Sequence, residues 1–106
     1  MIIANKTRVQ FKGIECVRTF DYYATKSGAV KCRVTYTPTR KELRHLRGHA
    51  TVQLLNLALL ASVSDAMLFL GVQLDDAPAA ELFAALAGSN LPADRDATCI
   101  ADYLNA

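Results

Sequence analysis

The sequence predicts an α+β domain: a three-stranded antiparallel sheet packed on a long central helix, followed by two short C-terminal helices. Three observations carry that expectation. Apolar and polar residues alternate with period two in the first third of the chain. An S/T-x-x-E signature then opens an apolar run with helical spacing. Short Ala- and Leu-rich segments with acidic or proline starts make up the remainder.

Arg8-Val9-Gln10-Phe11-Lys12 alternates as a half-buried strand does, and Gly13 marks a tight turn or bulge after it. Residues 14–24 are rich in aromatic and β-branched side chains and read as a second strand. Thr25-Lys26-Ser27-Gly28 is a hairpin loop in which Gly28 is free to take positive φ. Residues 30–37 form the clearest strand, with Val30, Cys32, Val34 and Tyr36 on one face and Lys31, Arg33, Thr35 and Thr37 on the other. Pro38 ends the sheet.

Thr39 and Glu42 are spaced as a capping box, and a helical pattern spans 40–70 with Gly71 as its stop. Leu43, Leu46, Ala50, Leu54, Leu57, Ala61 and Leu68 fall on one stripe of that helix, suited to packing on the sheet. Val52, Leu55, Leu59 and Val63 begin a second stripe on nearly the opposite side. A helix apolar on two faces has to be covered on both, by the C-terminal helices or by the same helix of a second subunit, and a homodimer is one expectation. Asp75-Asp76-Ala77-Pro78 starts a helix over 79–87 that Gly88 stops, and 93–104 is a second short helix. The chain thus reads as one domain in three parts: a basic β-meander (1–38), a long helix (39–71) and an acidic helical region (72–106).

The charge is split between the halves. Residues 1–50 hold eleven of the twelve Lys and Arg and three acids, Glu15, Asp21 and Glu42. Residues 51–106 hold Arg95 against seven acids, so the halves carry +8 and −6 within a net charge of +2. A dipolar chain of this kind suits an anionic partner. Arg40, Lys41, Arg44 and Arg47 cluster at the head of the expected helix, where the dipole disfavours cations and folding gains little from them. They are the centre of the expected partner-binding surface, with Lys31, Arg33, Arg8 and Lys12 in support.

Catalytic and cofactor chemistry find little footing. There is no G-x-S-x-G and no glycine-rich phosphate loop, and no paired carboxylates stand opposite a histidine. His45 and His49 have i, i+4 spacing, but four cations flank them, the Glu of H-E-x-x-H is missing and no Cys or pair of acids lies nearby in sequence, so no metal and no cofactor is expected. The run 50–70 holds a single charge, Asp65, yet Gln53, Asn56, Ser62 and Ser64 interrupt it, and a buried helix fits better than a membrane span. Three cysteines without a C-x-x-C motif, and an N-terminus without a leader-like apolar core, point to reduced thiols in the cytoplasm.

The function these features predict is non-enzymatic. The chain is expected to bind a larger acidic protein or nucleoprotein through its basic N-terminal surface. Small dipolar proteins without catalytic motifs are frequent among phage and plasmid accessory factors that inhibit a host nucleic-acid-targeting machine. The alternative is direct binding of DNA or RNA, since a basic sheet bearing exposed tyrosine is a common single-strand platform.

Overall fold

A computed structural model of the chain describes residues 1–106, with the side chains of all but residues 4 and 5. Four strands, β1 (Ile2–Phe11), β2 (Ile14–Ala24), β3 (Ala29–Pro38) and β4 (Gly48–Asn56), form one antiparallel sheet in the order β1-β2-β3-β4. Three short helices follow, α1 (Val63–Gly71), α2 (Ala77–Ala87) and α3 (Cys99–Asn105). The α+β class and the first two hairpins agree with the sequence. Lys12 (φ 53°) and Gly13 (φ 77°) make the two-residue turn between β1 and β2, the left-handed pair that matches strand twist. Gly28 (φ 89°) closes the second hairpin.

The long central helix is not formed. Residues 40–70 divide into a 3-10 turn at Lys41–Leu46, the strand β4, a second 3-10 turn at Leu57–Leu59, and α1. The sheet therefore has four strands and not three. The capping box fails locally, because Thr39 spends its hydroxyl on Glu15 Oε1 at 3.0 Å and Glu42 pairs with Arg40 at 2.8 Å. Arg40 stands in the cap position without a side-chain cap. Gly48 then breaks any helix, and Thr51 and Val52 favour an extended chain. Asn56 and Ser62 end the strand region, their side chains accepting from the Ala58 and Asp65 amides at 3.0 and 3.2 Å.

Alternation along the strands gives the sheet two unlike faces. One carries Cys16, Phe20 and Tyr22 of β2 and Val30, Cys32 and Val34 of β3, all buried. A register shift after Val30 adds Leu54 as an extra residue in β4, so Leu54 and Leu55 are both buried, and the helices cover this part of the sheet. Val63, Ala66 and Leu70 of α1, Ala79, Leu82 and Leu86 of α2, and Ile100 and Leu104 of α3 complete a single core. At about 25 cal/mol per Å² of apolar surface, each such leucine contributes roughly 2 kcal/mol.

The layers are tied at their edges. The N-terminal ammonium reaches Asp21 at 3.1 Å and the Leu104 carbonyl at 3.0 Å. Asn105 exchanges two hydrogen bonds with the Ala24 backbone. Tyr22 donates to the Pro78 carbonyl at 2.7 Å from inside the core. No described helix is long and apolar enough to cross a membrane.

Candidate functional site

The second face of the sheet carries no helix. The register places Arg8, Val17 and Thr37 in one row across β1, β2 and β3, with Thr19 beside Thr35 in the next. Lys31 lies opposite Tyr23, and Arg33 opposite Asp21. These positions alternate with the buried ones, so the solvent face follows directly from the apolar pattern.

On this face a shallow groove of about 420 Å³ is lined by Lys6, Arg8, Val17, Thr19, Thr37, Pro38, Thr39 and Arg44. Three cations surround threonine hydroxyls and the apolar side chains of Val17 and Pro38, and no described acid lines it. Glu15, on the same face, is engaged by Thr39, and Asp21 by the N-terminal ammonium. Among the described residues Lys6, Arg8 and Arg44 make no ion pair. The groove therefore presents three cations and no lining carboxylate, with Glu15 bonded to Thr39 next to it, together with hydroxyl hydrogen-bonding groups. That set recognises carboxylates or phosphates.

The structure rearranges the cluster expected on a helix. Arg40, Lys41, Arg44 and Arg47 are all exposed, but they sit on and beside a 3-10 turn with no extended macrodipole behind it. Arg44 reaches the groove, whereas Arg40 is neutralised by Glu42. Arg8, Lys31 and Arg33 share the open face as the alternation implies. Lys12 stands on the hairpin turn, its ammonium 5.3 Å from the Phe11 ring centre. Lys6 was missed by sequence reasoning, because the register slips between Ile3 and Thr7 and breaks the alternation that would have placed it.

Arg18 projects from the opposite face. Its guanidinium stacks 4.9 Å from the Phe20 ring centre, and its buried Nε has no hydrogen-bond partner. It lines a groove of about 370 Å³ with Tyr36, Ala50, Val52, Asp75 and Asp76. Val52 and Leu59 of the expected second stripe are exposed and Leu55 and Val63 buried, so the stripe is not one surface.

Other groups are accounted for by folding. Cys16, Cys32 and Cys99 are free and buried. Burial pushes the Cys32 thiol up to about 11 and the Tyr22 phenol well above its ordinary range, so neither ionises near neutrality. Asp96 is held below the usual carboxylate range by the Thr98 amide and hydroxyl, each 2.8 Å away, as a turn-forming acid ahead of α3. His45 and His49 lose their helical spacing, and His49 Nδ1 lies 3.1 Å from the Thr35 hydroxyl.

Comparison of the chain with family models, with curated proteins and with solved structures returns no match.

Proposed function

We propose that the protein is a binding module that docks a larger acidic protein or nucleoprotein on the open face of its sheet, around Lys6, Arg8 and Arg44. The observation that supports this is the groove itself, in which three unpaired cations surround the hydroxyls of Thr19, Thr37 and Thr39 with no described acid among the lining residues. Arg40, Lys41, Arg47, Lys31 and Arg33 widen the positive field that draws an anionic partner in. The module acts by occupancy and carries out no reaction, which suits an inhibitor of a nucleic-acid-handling machine. The same reading puts it in the cytoplasm, where its free thiols stay reduced. Direct binding of single-stranded DNA or RNA is the second reading. It is favoured by Tyr23, which stands beside Lys31 on the open face as a stacking surface.

The test is the triple variant Lys6→Glu, Arg8→Glu, Arg44→Glu, at three exposed positions. Its melting temperature should stay within a few degrees of the parent. Its affinity for heparin, poly-glutamate or a single-stranded oligonucleotide should fall about 100-fold or more, as lost charge contacts each cost ~2 kcal/mol. Unchanged retention on all three probes refutes the reading. A steep log-linear salt dependence on the oligonucleotide alone selects nucleic acid over acidic protein.

A further inference from the structure

The two edges of the sheet are built differently. β1, at one edge, has a register shift between Ile3 and Thr7 and carries the exposed cations Lys6 and Arg8, with Lys12 directly after it. Bulges and charges of that kind prevent another strand from adding to an edge. β4, at the other edge, reads Gly48-His49-Ala50-Thr51-Val52-Gln53-Leu54-Leu55-Asn56, without Lys, Arg, Asp, Glu or Pro. It pairs with β3 without interruption from Gly48 to Gln53, and the bulge comes only after that, at Leu54.

The same stretch is uncovered. His49, Ala50, Thr51, Val52 and Gln53 are all exposed, although Ala50 and Val52 belong to the apolar face. Among the described residues no other segment hydrogen-bonds to the outer side of β4. Beside its C-terminal end, Leu54, Leu55, Leu59, Leu60 and Phe69 line an apolar cleft of about 250 Å³. Leu59 is 81% exposed, and Leu46, just ahead of β4, is 45% exposed.

We infer that the β4 edge is the contact between two copies of this chain, joined strand to strand and antiparallel about a two-fold axis near Val52. Charge selects this occupant. An acidic partner finds its cations on the open face and none within β4, and Asp75 and Asp76 stand beside Ala50 and Val52 to repel it, whereas a second β4 brings no charged side chain onto the strand pair itself. An antiparallel pair of identical strands is self-complementary about a two-fold axis. The axis sets the two ends of the strands against each other. The exposed Leu46 of one copy then comes to the end of the strand where Leu59 and Phe69 stand open on the other. With the axis perpendicular to the sheet, the result is one eight-stranded sheet with both helix layers on one side. The inference rests on the strand edge alone, not on the basic face.

Sedimentation equilibrium on the whole chain tests it. The mass should rise to twice that of the chain by tens of micromolar. Val52→Lys, at a position 36% exposed, should keep the circular dichroism spectrum and raise the dissociation constant about tenfold or more. Val52→Cys should cross-link to itself under mild oxidation, and Lys26→Cys, at the tip of the other hairpin, should not. A monomeric mass at every concentration overturns the inference. So does a dimer that Val52→Lys leaves intact and Val52→Cys fails to cross-link. Protection of the β4 amides from deuterium exchange only when another protein is added assigns the edge to a foreign strand, and overturns it as well.

Discussion

At the scale of single residues, the core tells what kind of chemistry is absent from it. Cys32 and Tyr22 face each other across β2 and β3, both fully buried, and the carboxylate of Asp76 adds to the effect of burial on each. Burial raises the thiol from its ordinary 9.0 to about 11 and moves the phenol further in the same direction. A group whose folded pKa lies above its unfolded value stabilises the fold fully below the unfolded pKa. That contribution is lost as pH climbs through the folded value. At ~1.4 kcal/mol per pH unit, the thiol alone accounts for on the order of 3 kcal/mol once the loss is complete, above pH 11. The urea midpoint followed by circular dichroism should therefore stay level up to about pH 8.5 and fall steeply from pH 9 to 11. In Cys32→Val the onset should move up toward the tyrosine range. An identical alkaline profile for parent and variant would show that the thiol is not held protonated by the fold.

At the scale of elements, strands and helices differ in how far the sequence reveals them. β2 and β3 are legible because one face is buried and one is wet, so period-two alternation survives in the sequence. The segment 40–70 misleads for the converse reason. Its leucines serve three different elements: Leu54 and Leu55 are buried from a strand through a bulge, Leu57 from a 3-10 turn, and Leu70 from α1. A bulge places two consecutive apolar residues on one side, and that reads as helical spacing. The Thr39–Glu42 box was a true pattern with other partners, Glu15 and Arg40. Of the three cations of the groove, Arg8 was legible from strand parity, as were Lys31 and Arg33 elsewhere on the open face, and Arg44 from the cluster of bases after Pro38. Lys6 and the threonine-lined groove depend on register, which a single strand does not encode. Ser62 discriminates the two architectures by sign. Inside a continuous helix, Ser62→Ala would stabilise slightly, since alanine has the higher propensity. As the N-cap of α1 accepting from the Asp65 amide, Ser62 should be worth ~1 kcal/mol, and its replacement should lower the denaturation midpoint.

At the scale of the whole molecule, the split in charge becomes a split between layers. All the Lys and Arg but Arg95 belong to the sheet, its hairpins and the 3-10 turn beside it. Asp75, Asp76, Asp94, Asp96 and Asp102 belong to the helices and their connections. The chain measures 48 × 25 × 20 Å, and the acids of the helix layer lie on the far side of the sheet from the groove, Asp75 and Asp76 beside Arg18 on the covered face. The screening length is about 8 Å at physiological salt and about 30 Å at 0.01 M. A ligand on the open face thus feels the acidic layer only when salt is low. The expected behaviour of two charge reversals follows from that comparison. Asp94→Lys with Asp102→Lys, both exposed, should speed association of an acidic probe in 0.01 M salt and leave it unchanged, within about twofold, near 0.15 M. The reversal of Lys6, Arg8 and Arg44 should weaken binding at both, because contact charges are not screened by the salt between layers. Stopped-flow association rates with a fluorescent poly-glutamate at the two salt concentrations separate these outcomes. If the helix-layer variant changes the rate equally at both, the probe is meeting the acidic layer directly, and the open face is not where it binds.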